Sequence, residues 1–249
     1  DVGISVEGAA DVARETADVV MLRPDLEVLR RGIEDGRRTF ANTLKYIKIT
    51  TSANFGNMVS MALATPLLPF LPLAAKQILL NNFLSDLPSM AIATDRVDRE
   101  NIERAQRWHV GDVRRFMLVF GLVSTAFDLL TFAVLLRVFD ASETTFQTAW
   151  FVVSLLTELA VLLVLRTRLP AWRSRPGALL LAGTIGVAVL AVALPFVDPV
   201  AGVFGFVALD WRLGATLAII VAGYALCTEV VKLHLPPVAH PRQPARRAR

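Results

Sequence analysis

Cysteine is nearly missing: the 249-residue chain has one, Cys227. That excludes an internal disulfide framework and a thiolate metal site built within a single chain. Histidine is almost as scarce, and His109, His234 and His240 all lie outside the apolar blocks described below. No Cys-Pro-Cys or imidazole cluster is therefore on offer inside those blocks for a soft metal. Charged residues make up only 19% of the chain, against roughly 25% in soluble domains. No signal-peptide pattern opens the sequence, whose first stretch is mixed and charged. Nothing resembles a nucleic-acid-binding motif or an aromatic stacking platform, so no nucleic-acid partner is expected despite the net charge of +4.

What fills the sequence is apolar: 54% of the residues are hydrophobic, and the excess is concentrated in six blocks. Each is close to the roughly 17–25 residues that cross a bilayer. The blocks predict spans at about 47–67, 75–94, 115–137, 146–165, 177–198 and 213–233. Pro66, Pro69 and Pro72 predict a tight, helix-poor turn between the first two. Trp108, Trp150, Trp172 and Trp211 fall near span ends, where interfacial anchors sit. Arg96, Arg99, Arg104, Arg107 and Arg114 lie between the second and third spans, and Arg166, Arg168, Arg173 and Arg175 between the fourth and fifth. Lys232, Arg242, Arg246, Arg247 and Arg249 follow the sixth, whereas the opposite loops carry little beyond Lys76, Arg137 and Arg212. The positive-inside rule then places both chain ends and the 95–114 loop in the cytoplasm. The basic, proline-rich tail 234–249 reads as disordered.

Residues 1–25 read differently, as strand, helix (Glu7 to Thr16) and strand (Ala17 to Leu22), a fragment of an α/β domain too small to stand unaided. From Leu26 the pattern turns helical, with Leu29, Ile33, Phe40, Leu44 and Ile47 on one stripe. The segment 26–46 is expected to be a stalk helix running unbroken into the first span.

Polar residues inside a span are costly and mark function. The first span carries Asn54 and Asn57 on one helical face, with Thr50, Thr51 and Ser52 adding oxygens near one end. The second carries Asn81, Asn82, Ser85 and Asp86, then Pro88, which is expected to kink or partly unwind the helix and free backbone oxygens. One carboxylate, several amide carbonyls and a hydroxyl suit a hard cation, Mg²⁺ or Ca²⁺. Helix–helix hydrogen bonding is the structural alternative for each Asn and Ser. Asn81 and, in the fourth span, Glu158 are further candidates for a transport path, Glu158 reaching the same site or a proton route. Asp128 in the third span is expected to serve a local network.

Asp1-Val-Gly-Ile-Ser and Ala17-Asp-Val-Val-Met-Leu22 resemble the end of the phosphorylation domain of P-type ATPases. Asn82-Phe-Leu-Ser-Asp86-Leu-Pro88 resembles the sixth-helix cation motif of these pumps, and Ser52-Ala-Asn54-Phe-Gly-Asn57 the fifth-helix motif. Thr51 to Asn57, Pro69 to Pro72, Arg115 to Leu118, Phe127 to Phe132 and Phe146 to Phe151 are similar to the bacterial magnesium-transporting branch. Calcium pumps of the superfamily place a Glu where this chain has Asn57.

The resemblance implies an α-helical membrane protein: six transmembrane helices, the fifth to tenth of a P-type ATPase, preceded by a C-terminal remnant of the α/β phosphorylation domain. It implies a cation site of Asn54, Asn57, Asn82, Ser85 and Asp86. It also implies Mg²⁺ as the transported ion, the lipid bilayer as surroundings and a bacterial inner membrane as location. ATP and catalytic Mg²⁺ would be held by upstream actuator, phosphorylation and nucleotide-binding domains. The 95–114 loop would couple ion binding to phosphorylation, although Ala105-Gln-Arg107 departs from the usual Pro-Arg arrangement. No Asp-Lys-Thr-Gly or Thr-Gly-Glu segment is present, so no residue here is assigned ATP hydrolysis and the chain alone is expected to be inactive. Two alternatives stay open: a pump for Ca²⁺ or another cation, and a non-enzymatic membrane-embedded regulatory or structural fragment.

Overall fold

The computed structural model describes residues 2–23, 25–103 and 106–235. Asp1, Pro24, Arg104, Ala105 and the tail from residue 236 onward lie outside the described residues.

Two short strands, β1 (Ile4–Val6) and β2 (Val19–Met21), pair in parallel with Ile4 opposite Val19. Parallel pairing needs a crossover, and α1 (Asp11–Glu15) supplies it. This helix is shorter than the pattern predicts, because the chain first turns at Glu7 to Ala9, where the Ala9 N–H bonds back to the Val6 carbonyl. Gly8 suits that turn. Ile4, Val19, Val20 and Leu22 remain exposed, so no hydrophobic core covers this sheet among the described residues.

Helix α2 (Leu26–Ala64) follows as a single rod of 39 residues, about 58 Å at 1.5 Å per residue. Asp25 caps it by accepting the Glu27 N–H at 2.8 Å. Gly32 and Gly36 do not break it. Arg30 pairs with both Glu27 and Glu34, Arg31 with Glu27 and Arg38 with Asp35, the i,i+3 and i,i+4 contacts that support an exposed helix. The turn at 65–74 is free of helix, as its prolines predict.

Helix α3 (Ala75–Met90) corrects one expectation. Pro88 does not unwind it; α-helix continues through Met90, and a 3-10 turn (Ala91–Thr94) begins only afterwards. Pro88 sits in the last turn, where the missing N–H leaves a single carbonyl without its helical partner, and its buried ring packs beside Gly183. The chain continues through α4 (Arg99–Glu103), α5 (Val110–Arg137), α6 (Glu143–Leu165), α7 (Ala178–Ala193), α8 (Asp198–Phe204) and α9 (Trp211–His234).

Among the described residues four helices are long and apolar enough to cross a membrane: Val110–Arg137, Glu143–Leu165, Ala178–Phe196 and Trp211–His234. Helix α6 is the hub. Phe146, Trp150, Phe151 and Leu155 are fully enclosed, and Phe132 of α5 meets the Trp150 ring edge-on at 4.7 Å between centroids. Leu122, Leu129, Ile185, Val189, Ile219 and Leu226 instead point outward, an arrangement costly in water and favourable in lipid. The protein is a membrane protein.

Two expectations at the tryptophans part company. Trp172 and Trp211 are exposed near helix ends, but Trp150 is 1% exposed and packed in the core. Its indole N–H donates to Asp128 Oδ1 at 3.0 Å while Ser60 donates to Oδ2 at 2.6 Å. Trp150 is a partner for a buried carboxyl and no interfacial anchor. Asp128 thus serves a local network that ties α2, α5 and α6 together.

Candidate cation site

Small residues set the position of α2. Ser52, Gly56 and Ser60 recur every four residues and are all buried, facing Gly121, Ser124 and Thr125 of α5. A Cβ on Gly56 would lie 2.8 Å from the Ser124 Cβ, and one on Gly121 would lie 2.5 Å from the Phe55 ring. The two backbones therefore touch, the close approach that small residues permit between packed helices. Seating this face of α2 against α5 turns Asn54 and Met58 the other way, where they are exposed.

The hydroxyls at residues 50–52, midway along α2, do not all join a site. Thr50, Thr51 and Ser52 each donate to the carbonyl four residues earlier, at 2.8, 2.6 and 2.6 Å. Of the three, Thr50 lines a cavity.

Two cavities meet at the α2–α3 pair. One, about 120 Å³, lies toward the N-terminal half of α2 and is lined by Tyr46, Thr50, Asn54, Ser85, Asp86, Ser89 and Glu158 among others. The second is a groove of about 670 Å³ toward the 65–74 turn, lined by Asn54, Asn57, Asn81, Asn82, Ser85 and Asp86 with Met61, Ile78, Trp150 and Ser154. Asn54, Ser85 and Asp86 border both. The residues that sequence spacing singles out are thus brought together, and Glu158 of α6 joins them from a separate helix. Asn57 donates its side-chain amide to Glu158 Oε1. Ser85 hydrogen-bonds the Asn82 carbonyl at 3.1 Å and lines the smaller cavity together with Glu158.

Asn81 differs from its neighbours. It is 3% exposed, and its Oδ1 has no hydrogen-bond partner. Asn82 and Asp86 are exposed on the face of α3 that no described residue covers.

The donor set is carboxylate, amide and hydroxyl oxygen. No group of three or more His, Cys, Asp or Glu that could hold a metal occurs among the described residues. A cation here would meet two carboxylates, Asp86 and Glu158, plus neutral oxygens, which fits a hard ion that keeps some of its water.

A charged cluster that the spacing does not reveal lies just past the C-terminal end of α3. The Asp95 side chain is wholly buried; its Oδ2 accepts from Lys45 at 2.9 Å and its Oδ1 from the Gly177 N–H at 2.9 Å and Arg166 at 3.5 Å. Asn42 donates to the Ala93 and Asp95 carbonyls at 3.1 and 3.0 Å, and Arg37 to the Ile102 carbonyl at 2.9 Å. Arg166, in the sequence only one basic loop residue among several, is 2% exposed.

Comparison with known proteins agrees with this architecture. Residues 70–234 match the family described as "Cation transporting ATPase, C-terminus". The chain is 45% identical over 237 residues to "Magnesium-transporting ATPase, P-type 1" of Salmonella typhimurium, covering 93% of this chain and 26% of that protein. The Escherichia coli K12 protein of the same description is 44% identical over the same lengths. A "Calcium-transporting ATPase" of Bacillus subtilis is 27% identical over 202 residues, 66% of this chain and 23% of that one. The chain therefore spans about a quarter of the length of the relatives it matches. With every helix from α3 to α9 inside the matched region, the chain belongs to the cation transporting ATPase C-terminal family.

Proposed function

We propose that this chain is the cation-translocating membrane part of a P-type ATPase that couples ATP hydrolysis to Mg²⁺ import. The observation that carries it is the convergence of Asn54, Asn57, Asn82, Ser85 and Asp86 with Glu158 at two adjoining cavities, in a chain 45% identical to a magnesium-transporting ATPase. Asn57 stands where the resemblance puts a Glu in calcium pumps. One fewer charge suits an ion that retains several waters, as Mg²⁺ does.

On this reading the four apolar helices are joined by two more polar spans, the second half of α2 (47–67) and α3 with its 3-10 turn (75–94). Residues 1–25 are the remnant of the phosphorylation domain, 26–46 the stalk, 47–233 the six-helix membrane domain and 234–249 a basic cytoplasmic tail. Both chain ends lie in the cytoplasm of a bacterial inner membrane. ATP and the catalytic Mg²⁺ are bound by actuator, phosphorylation and nucleotide-binding domains beyond these residues, and the chain alone does not hydrolyse ATP. Domain movements there shift α2 against α3, closing one cavity as the other opens around Asn54, Ser85 and Asp86. Asn81 and Glu158 line the route.

The test is ATPase activity of the complete gene product in lipid, with Mg²⁺ and Ca²⁺ titrated separately at fixed ATP–metal complex, beside Asp86→Asn. Selective stimulation by Mg²⁺ that Asp86→Asn abolishes is expected. Selective Ca²⁺ stimulation moves the assignment to a calcium pump, and unchanged ion dependence in Asp86→Asn removes the site.

A further inference from the structure

Resting on the cation-pump reading above, we propose that Asn81 is an ion-contacting residue of the turn-side groove, offering its amide oxygen to a hydrated divalent cation before that ion reaches Asp86. Its neighbours on the helix, Asn82 and Asp86, are exposed, whereas Asn81 is shut in at 3% exposure. A buried Asn in a membrane helix ordinarily bonds another helix. Here the Oδ1 has no partner although solvent does not reach it. An unsatisfied buried carbonyl destabilises the ion-free protein, and a leucine at that position would not.

The surroundings point to what offsets this cost. Asn81 lines the wall of the groove of about 670 Å³ together with Asn57 and Asn82. None of these three borders the smaller cavity, where Glu158, Tyr46 and Thr50 stand instead. The Asn57 amide nitrogen is committed to Glu158, which leaves its carbonyl as the ligand-type atom. The groove thus offers neutral amide oxygens, with Asp86 as the carboxylate it shares with the smaller cavity that Glu158 lines. Amide oxygens can receive a cation that still carries water without holding it so tightly that it cannot move on. Asn81 supplies the buried member of that set, poised to turn toward an arriving ion.

The experiment uses the complete gene product in detergent and in lipid, with Mg²⁺ alone as probe. Asn81→Leu and Asn81→Asp are compared with wild type and Asp86→Asn. Thermal midpoints are measured across a Mg²⁺ titration without nucleotide, and Mg²⁺ stimulation of ATP hydrolysis at fixed ATP–metal complex. Asn81→Leu is expected to unfold at or above the wild-type temperature in Mg²⁺-free buffer, while its half-maximal Mg²⁺ concentration rises about tenfold in both assays. Asn81→Asp is expected to lower that concentration. A lower midpoint or lost fold in Asn81→Leu, or an unchanged Mg²⁺ response, overturns the proposal and makes Asn81 a packing residue. If Asp86→Asn also responds to Mg²⁺ like wild type, the cation-site reading itself falls; if only Asp86→Asn loses the response, the inference about Asn81 alone falls.

Discussion

Asp128 and Trp150 show how much a single buried contact decides. The carboxyl receives donors from Ser60 and the indole and is otherwise closed off from solvent. Replacing Trp150 by Phe keeps most of the ring volume and deletes the N–H, leaving a buried acceptor short of a partner. That is expected to destabilise the membrane domain by about 1–3 kcal/mol. The Trp150→Phe/Asp128→Leu double variant should recover part of the loss. Thermal unfolding in detergent, run as a double-mutant cycle, measures the coupling. In the sequence Trp150 reads as an anchor because it lies near the start of an apolar block. Whether a tryptophan faces lipid or core depends on which face of α6 the other helices cover, and linear spacing does not encode that. Asn54, Asn57, Asn82, Ser85 and Asp86 are legible because polar side chains at helical spacing inside an apolar block are costly unless something uses them. The Asn57–Glu158 contact joins residues 101 apart, and only tertiary packing brings it about.

At the scale of elements, the α2–α5 contact is set by backbone proximity at Gly56 and Gly121. Gly121→Leu would drive a branched side chain into Phe55 and the Ser52 carbonyl, which a Cβ alone already approaches at 3.2 Å. Overpacking of this kind costs about 1–3 kcal/mol or forces the helices apart. Cysteines placed on facing positions of α2 and α5 should then crosslink more slowly than in the parent. The long rod from Leu26 and the four strongly apolar helices are readable from sequence, since both follow from periodicity and length. Pro88 misleads because proline reports only that one N–H is missing; its place in the last turn lets the helix absorb the loss.

The exposed start of α2 has its own electrostatics. Hydrogen bonds from Arg30 and then Arg31 hold the Glu27 carboxyl down at about 2, against 4.5 ordinarily. A depressed carboxylate contributes stability above its unfolded value and loses it as the pH falls through the folded one. The first turn of α2 should therefore keep its amide protection at pH 5 and lose it progressively between about 4.5 and 2. Glu27→Gln should flatten that dependence. Hydrogen exchange at residues 26–31 across this range tests it.

For the whole molecule, the cluster at Asp95 joins three distant stretches of sequence. One carboxylate oxygen faces Lys45 on α2, and the other faces Arg166 and Gly177 behind. Lys45→Met is expected to cost on the order of 1–3 kcal/mol through the lost charge-assisted bond, and Lys45→Arg to restore much of it. Thermal midpoints of the complete gene product compare the two. From sequence, Asp95 and Arg166 are loop charges and Lys45 a stalk charge, none with a partner, because pairing across 50 and 71 positions leaves no local pattern. The proposed orientation is checked separately by replacing Cys227 with Ser and placing single cysteines at positions 100 and 140. An impermeant thiol reagent added to intact cells should label position 140 and spare position 100.

The polarity of α2 and α3 has a consequence for how the protein is made. Neither helix is among those long and apolar enough to cross a membrane alone, and an Asp near the middle of a span, as Asp86 is in the proposed 75–94 segment, opposes entry by about 2.5–3.5 kcal/mol on insertion scales. During synthesis these two helices emerge before the partners that enclose them. On the proposed six-span reading they are expected to wait at the translocon as a hairpin until α5 arrives to cover Gly56 and α6 arrives to meet Asn57. Nascent chains that stop short of α6 should leave this hairpin extractable from the bilayer by alkali, and those that include it should not.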